Sequence, residues 1–289
     1  MGKEPLKPQE ILEASLDVSV RKAKSGFVKL AVLGFLAGAF IAFAAEGSSA
    51  AAFNLLASPT SYGLGRTLAG ALFGVGLMLV LLAGGELFTG NVLMVGGAIK
   101  RRIGCGAMLR NWLIVYAANF AGALFIAWLM YRSGLFHGGG EMLGAVTVKT
   151  AAGKTGLSFA GALILGVLCN WLVCLAVWLS YGADTMAGKI LSVFFPIWLF
   201  IVSGFEHSVA NMYYVPAGIF AKTETVFAEA AAALGVTREM MDGLNWQGFF
   251  AHNLLPVTIG NIIGGGLFVS AAYLLAFRED GRKAGGGVA

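Results

Sequence analysis

The sequence predicts an all-α membrane protein with six transmembrane helices in two inverted three-helix repeats, with spans two and five broken. Three observations support this fold class. Hydrophobic residues make up 58% of the 289 residues and charged residues only 12%, whereas about a quarter of the residues in soluble proteins are charged. Six apolar stretches have the length needed to cross a bilayer. Two of these stretches, one in each half of the chain, contain similar polar interruptions.

The apolar stretches set the order of the spans. They cover approximately residues 28–45, 64–98, 109–131, 157–181, 190–220 and 249–277. Stretches two and five are too long for one straight crossing, and each contains one of the polar interruptions. We therefore expect each to form two half-helices joined by irregular backbone.

The chain divides into a cytoplasmic N-terminal amphipathic segment at 1–27, a six-span domain at 28–278 and a cytoplasmic C-terminal tail at 279–289. The N-terminal segment is charged throughout and lacks the apolar core of a signal peptide. Its Ile11, Leu12, Leu16 and Val20 fall near helical spacing. This pattern predicts a helix that lies against the pore mouth or the inner leaflet, with a solvated helix as the alternative.

The distribution of basic residues predicts the orientation. Most of the 20 Lys and Arg residues fall on the side of the two termini, which places both termini in the cytoplasm. This asymmetry accounts for the net charge of +5, so no nucleic-acid partner is expected. The three cysteines are too few for a disulfide framework and are interpreted as reduced packing residues.

Short motifs recur in the two halves of the chain. Glu86 to Asn91 in span two matches Glu206 to Asn211 in span five, and both have the pattern Glu-x4-Asn. Asn119-x2-Gly122 in span three matches Asn261-x2-Gly264 in span six. Because three crossings are an odd number, the second copy must run inverted relative to the first. The two breaks are then expected to meet near the middle of the membrane.

His207 is the one of the three histidines that falls within a break; His137 lies between spans and His252 at the edge of span six. A single buried histidine is more often a packing residue than a functional one. Here it lies in a break, beside Glu206, and Thr89 comes from the partner break. Burial disfavours the charged imidazolium, and a neutral imidazole can donate one hydrogen bond to a passing anion. When transiently protonated it can also deliver a proton, which suits a weak-acid substrate because the neutral acid crosses apolar regions far more easily than its anion.

The other polar and apolar candidates each admit two interpretations. Glu86 and Glu206 are either proton carriers or structural acceptors for the backbone N–H groups that broken helices leave unpaired, and we prefer the structural role. Buried asparagines are expected to hydrogen-bond across helices or to the pathway. By spacing alone the apolar candidates are ordinary core residues. These asparagines are Asn170, Asn211 and Asn261, and the apolar candidates are Phe73, Leu77, Leu87, Val173 and Phe200.

Several long motifs resemble the formate/nitrite transporter family. They are the strings at 173–178 (VCLAVW), 203–212 (SGFEHSVANM) and 253–266 (NLLPVTIGNIIGGG), supported by Gly85 to Thr89 and by Arg110-Asn111-Trp112. The resemblance covers about residues 10 to 278. One departure is Gly90-Asn91, where formate-channel members of the family often carry two small hydroxyl residues.

The resemblance implies a homopentamer of aquaporin-like six-span protomers, each with its own pore. It implies that His207 is the pore histidine and that Thr89 lies in a mobile break that gates the cytoplasmic side. It also implies apolar constrictions, polar pore residues and an outer-vestibule lysine, Lys154, that attracts anions. The constriction residues would be Phe73, Leu77, Leu87, Val173 and Phe200, and the polar pore residues Asn170, Asn211 and Asn261.

The function expected from the residues and the resemblance together is a passive or proton-coupled pore for small monovalent anions of weak acids. Formate is the first candidate, with nitrite and hydrosulfide as alternatives, and the expected location is a bacterial cytoplasmic membrane. No cofactor and no metal are expected. An intramembrane enzyme is disfavoured, because Glu206-His207 lacks the second histidine of H-E-x-x-H. A purely structural pentamer would not need His207 and Thr89 in opposed breaks.

Overall fold

The computed structural model describes residues 4–278 and is built from helices and their connections over that range. The predicted tail at 279–289 lies outside the described residues, as do residues 1–3. Helix bounds, in chain order, are α1 Pro8–Ala23, α2 Phe27–Ala57, α3 Tyr62–Gly84, α4 Phe88–Ile99, α5 Cys105–Arg132, α6 Met142–Thr155, α7 Phe159–Gly182, α8 Met186–Ser203, α9 Ser208–Ala221, α10 Thr225–Ala233, α11 Arg238–Gly243 and α12 Gly248–Ala276.

Six of these helices, α2, α3, α5, α7, α8 and α12, are long and apolar enough to cross a membrane. The six predicted spans are therefore confirmed. The two predicted breaks are also present, because α3 is followed after three residues by α4, and α8 is followed after four residues by α9. Each broken span thus consists of a long half and a short half.

The first span continues well beyond its predicted end near residue 45, since α2 runs to Ala57. The polar residues after Ala45 do not end the helix. Ser48 and Ser49 donate their hydroxyls to the carbonyls of Ala44 and Ala45, one turn earlier, which is a common way to place serine inside a helix. The carboxylate of Glu46 is buried and accepts a hydrogen bond from the hydroxyl of Tyr213 in α9.

The N-terminal helix α1 packs against the six-span domain. Ile11, Leu12 and Leu16 are buried, and Ile11 lies directly over Gly182 at the end of α7. The backbone N–H of Leu6 also donates to the carbonyl of Gly182, at 3.1 Å. The alternative of a solvated helix is therefore wrong, and α1 is part of the packed structure.

Helix α6 occupies the connection between spans three and four, where no helix was predicted. Its inward face, which includes Leu143, Val148 and Ala151, is buried, and the helix packs against α9 and α2. In chain order α6 comes immediately before α7, just as α1 comes immediately before α2. The second half of the chain thus contains a counterpart of α1.

Glycines allow the closest helix crossings in both halves. A Cβ atom at Gly122 of α5 would overlap the carbonyl of Phe35 in α2, and one at Gly264 of α12 would overlap the carbonyl of Val167 in α7. Both glycines belong to the recurring Asn-x2-Gly motif. The motif therefore marks equivalent places where two helix backbones touch, which brings its asparagine next to the neighbouring break.

Candidate functional site

The two breaks have similar backbone geometry. Gly84 ends α3 with φ of +97°, and Gly204 follows α8 with φ of +81°. These left-handed conformations favour glycine, which has no Cβ to clash. After each glycine the chain runs on in extended conformation, as Leu87 and His207 show, and these residues immediately precede α4 and α9. The breaks therefore expose backbone groups that need partners.

Asn119 and Asn261 supply those partners. The side-chain oxygen of Asn119 accepts from the N–H of Phe88 and that of Asn261 accepts from the N–H of Ser208, both at 2.9 Å. The Asn261 amide nitrogen also donates to the carbonyls of Gly166, at 2.8 Å, and Glu206, at 3.0 Å. Asn119 makes the equivalent bonds to the carbonyls of Gly34 and Glu86. Asn261, predicted to be a pore residue, therefore uses its amide to hold the break together.

Glu86 and Glu206 are bound by side chains. The amine of Lys22 donates to Glu86 at 2.7 Å, and that of Lys154 donates to Glu206 at 2.8 Å. Asn91 donates to Glu86 and Asn211 to Glu206, each at 2.7 Å. The expectation that these carboxylates accept backbone N–H groups is wrong, because the asparagines on α5 and α12 take that role.

A further asparagine completes each cluster. Asn111 accepts from Asn91 at 2.8 Å, and Asn253 accepts from Asn211 at 2.7 Å. Asn111 and Asn253 also donate to the carbonyls of Lys22 and Lys154, respectively. We call each set of lysine, glutamate and two asparagines a brace. The first brace is Lys22, Glu86, Asn91 and Asn111, and the second is Lys154, Glu206, Asn211 and Asn253.

Two signals in the sequence mark these braces, although neither was used in the predictions. Asn111 precedes Asn119 by eight residues, and Asn253 precedes Asn261 by the same number. Lys22 and Lys154 each lie five residues before the first phenylalanine of the following helix, Phe27 or Phe159. The contacts of the two halves thus repeat residue by residue, over four helices in each half.

His207 and Thr89 face each other where the two breaks meet. The Nε2 atom of His207 lies 2.9 Å from the hydroxyl of Thr89, and both residues are buried. The Nδ1 atom accepts the backbone N–H of Ala210 at 3.0 Å. An imidazole nitrogen that accepts carries no proton, so the neutral ring holds its proton on Nε2. The N–H of the ring therefore points at Thr89.

Aromatic rings close the site on one side. The rings of Phe73 and Phe200 meet edge to face with centroids 5.7 Å apart, and the ring of Phe200 stacks on that of His207 at 6.1 Å. Both phenylalanines are buried, as are the other apolar candidates, Leu77, Leu87 and Val173. The structure thus brings the pair Phe73 and Phe200 directly against the histidine.

Asn170 lies behind Thr89. Its amide nitrogen donates to the carbonyls of Thr89, at 3.1 Å, and Asn261, at 2.7 Å. The thiol of Cys174 donates to the same Thr89 carbonyl at 3.3 Å. The side-chain oxygens of Asn170 and Asn211 are buried and have no hydrogen-bond partner among the described residues. The hydroxyl of Ser208 and one carboxylate oxygen of Glu46 are likewise buried and without a partner among residues 4–278.

A vestibule of about 320 Å³ leads to His207 and Phe200. Among the described residues, its charged lining consists of Arg66, Lys149 and Lys154, with Glu206 as the single carboxylate. Lys154 lines this vestibule, and its amine is bound to Glu206 in the second brace. Arg66 and Lys149 were not singled out from the sequence.

Glu46 is a buried acid that sequence reasoning also missed. It accepts from the hydroxyl of Tyr213, and its second oxygen has no partner among residues 4–278. The apolar stretch predicted for the first span ends near residue 45, so Glu46 was not assigned to a span. Within the described part of the chain there is no group of three or more His, Cys, Asp or Glu side chains that could hold a metal ion.

The fold and the site define a class of protein. Six apolar spans, two of them broken, bring a histidine and a threonine together at the inner end of a cationic vestibule. This is the architecture of a multi-pass membrane channel or transporter. The family model of formate/nitrite transporters matches residues 9–275. The chain belongs to the formate/nitrite transporter family.

Individual relatives agree with this assignment. The chain is 41% identical over 280 residues to YrhG, an uncharacterized transporter of Bacillus subtilis, covering 96% of each chain. It is 38% identical over 294 residues to a probable formate transporter of Methanothermobacter thermautotrophicus, covering 97% of this chain and all of the relative. A solved pentameric formate channel with formate bound matches with a TM-score of 0.73 and 32% identity, over 87% of this chain and 97% of the channel.

Proposed function

We propose that this protein forms a pore for small monovalent anions of weak acids, with formate as the first candidate. The observation that carries the proposal is the contact of 2.9 Å between Thr89 and His207, at the inner end of the vestibule. It joins the two breaks at one point and places a hydroxyl and a ring N–H there. Nitrite and hydrosulfide are the alternative substrates.

The backbone around this contact favours an anion. Thr89 lies in the first turn of α4, and His207 immediately precedes the first turn of α9. Two helix N-termini, which carry partial positive charge, therefore converge on the site. Lys22 and Lys154 add full positive charges nearby, although each is balanced by its glutamate. An anion that loses its hydration shell here finds hydrogen-bond donors in its place.

The hydrogen bonds of His207 constrain how a proton is transferred to the substrate. Protonating Nδ1 would break its bond to the N–H of Ala210, in the first turn of α9. The geometry thus favours a neutral ring that donates its Nε2 proton in a hydrogen bond to the anion. Neutralisation of the substrate then passes through the ring: Nε2 delivers its proton to the anion, and Nδ1 takes up a replacement proton and transiently gives up its bond to Ala210. The neutral acid crosses the apolar pair Phe73 and Phe200, which would be costly for the bare anion.

Gating is assigned to the break that contains Thr89. This threonine holds the α4 side of the contact, and we assign the buried side chains of Leu87, Leu77 and Val173 to the apolar wall of the pathway. Asn91 ties the first turn of α4 to the first brace and to the indole of Trp112, which donates to its carbonyl at 2.9 Å. For the pore to open, α4 would therefore have to move together with the first brace, or the side chain of Thr89 would have to rotate while α4 stays in place.

We assign a homopentamer in a bacterial cytoplasmic membrane, with both termini in the cytoplasm. The matched pentameric formate channel supports the pentamer and formate, and the relative from Methanothermobacter thermautotrophicus bears the name probable formate transporter. Native mass spectrometry of the purified protein tests the pentamer directly. A predominant species of any other size would contradict it.

The test of the function is formate flux in proteoliposomes as a function of pH. Wild-type protein should pass formate down its gradient and carry net proton equivalents at acidic pH. His207→Asn should abolish or invert the pH dependence. Asparagine is a good helix N-cap, so it can still accept the N–H of Ala210 and preserve α9. Thr89→Ser, which keeps the hydroxyl, is the matched control and should transport like wild type.

Two outcomes would contradict the proposal. Unchanged pH dependence in His207→Asn, with assembly intact, would show that the histidine is a packing residue. Chloride passing as fast as formate through the wild-type protein would refute the weak-acid argument, because chloride is not converted to a neutral acid at these pH values.

A further inference from the structure

The vestibule contains an anchored cation that the proposed mechanism does not use. Arg66 lies in the first turns of α3 and lines the vestibule. Its guanidinium donates to the carbonyl of Ile201, 135 residues away, near the end of α8. We propose that Arg66 is the residue that captures the anion in the vestibule and selects planar, two-oxygen anions there. This inference rests on the proposed function and deepens it.

The charges that line the vestibule favour Arg66, and not Lys154, as the residue that captures the anion. Lys154 donates to Glu206 at 2.8 Å, and both side chains are mostly buried. Their charges compensate each other, and losing Lys154 to a substrate would leave Glu206 as an unpaired buried charge. Arg66 and Lys149, in contrast, form no ion pair with a carboxylate among residues 4–278. The net positive charge of the vestibule is therefore carried by these two residues.

Position distinguishes Arg66 from Lys149. The bond to the Ile201 carbonyl fixes the guanidinium at the C-terminal end of α8, where the partial negative charge of the helix end also holds it. One of its terminal nitrogens would lie 3.2 Å from a Cβ atom at Gly204, the glycine that opens the second break. Gly204 precedes His207 by three residues. Arg66 is thus held beside the backbone that leads to His207, whereas Lys149 has no side-chain hydrogen bond among the described residues.

The N–H groups of Arg66 that are not bonded to Ile201 determine which anions the guanidinium prefers. A guanidinium has N–H groups in a fixed planar fork that matches two oxygens of a carboxylate. In the described part of the chain, Ile201 is its sole hydrogen-bond partner, so most of these donors are available. Formate and nitrite each present two oxygens and can bind the fork with both. Hydrosulfide and chloride present one centre and cannot.

The inference is tested with Arg66→Gln and Arg66→Lys in proteoliposomes, with Lys149→Gln and the exposed Arg132→Gln as charge-matched controls. Arg66→Gln should raise the formate concentration for half-maximal flux about tenfold, the scale of one charge-assisted hydrogen bond. The maximal rate should remain close to wild type, because the site at His207 is untouched. Arg132→Gln should behave like wild type, and Lys149→Gln should show a smaller loss that disappears at high salt.

Arg66→Lys separates charge from geometry and also guards against misfolding. Lysine keeps the charge and can still donate to the Ile201 carbonyl. It should retain formate capture at low salt but lose most of the preference for formate and nitrite over hydrosulfide. If Arg66→Gln and Lys149→Gln raise the half-saturating formate concentration equally, the proposal that the guanidinium of Arg66 captures the anion is refuted. It is also refuted if Arg66→Lys keeps the wild-type preference among anions.

The outcome also separates the inference from the function on which it depends. Wild-type vesicles that pass none of these anions would refute the proposed function and, with it, a capture role for Arg66. Wild-type flux of formate together with unaltered half-saturation in Arg66→Gln would refute the role of Arg66 alone.

Discussion

Removing the lysine of the second brace should destabilise the protein strongly, although it deletes only one polar contact. In Lys154→Met, Glu206 keeps its hydrogen bond from Asn211, at 2.7 Å, but loses its cation. The side chain of Glu206 is 7% exposed and that of Lys154 is 15% exposed. Leaving a buried charge without its partner costs about 3–5 kcal/mol. Because Asn211 still donates to the carboxylate, we expect the lower end of that range, about 3 kcal/mol.

This loss can be measured as a change in apparent melting temperature. At about 2 °C per kcal/mol for a chain of this size, the midpoint of thermal unfolding should fall by about 6 °C. The assay is thermal unfolding of the detergent-purified assembly followed by size-exclusion chromatography. The double variant Lys154→Met/Glu206→Gln should recover most of the loss, because a neutral amide can still accept from Asn211 and needs no cation.

A surface pair provides the control. Arg238 and Asp242 form an exposed ion pair with atoms 4.0 Å apart and side chains that are 96% and 75% exposed. Arg238→Met should change the midpoint by less than about 2 °C, because exposed pairs contribute at most about 1 kcal/mol. If Lys154→Met costs no more than Arg238→Met, or if the double variant is no more stable than the single one, the brace does not stabilise the break as argued.

Two further predictions concern the helix contacts. Asn261→Ala leaves the N–H of Ser208 without its acceptor and removes a donor from the carbonyls of Gly166 and Glu206, which should cost about 3 kcal/mol in the same unfolding assay. A loss no larger than that of Asn245→Ala, at an exposed position, would contradict this role. Gly122→Val should sharply reduce the yield of monodisperse protein, because its side chain would overlap the backbone of α2, whereas Gly106→Val, at a position with open space, should be tolerated. Equal yields would show that α2 and α5 can move apart at little cost.

The local sequence was sufficient to predict the six spans and the two breaks. Hydrophobic run lengths and the two Glu-x4-Asn interruptions predicted six crossings and both broken helices, since crossing a bilayer depends on the composition of each segment by itself. The same reasoning ended the first span near residue 45, just before Glu46, because composition does not show that a carboxylate will meet Tyr213. It also missed α6, which is short enough to resemble a loop.

Partners distant in the chain were not predictable in this way. Lys22 reaches Glu86 across 64 residues, and Lys154 reaches Glu206 across 52. Helical periodicity states which face a side chain occupies but not which helix packs against that face. The repeat did contain the information, in the equal spacing of Asn111 to Asn119 and of Asn253 to Asn261. Recognising it would have predicted the braces as pairs.

The sequence by itself determined that this protein has six spans and two breaks, and its motifs identified the family and indicated that His207 and Thr89 matter. Only the tertiary structure decided what each polar group does. It assigned Asn261 and Lys154 to holding the breaks, and among residues 4–278 it gave Arg66 no carboxylate partner. The physical reason is that a buried polar group acts according to the partner it meets, and packing of distant helices chooses that partner.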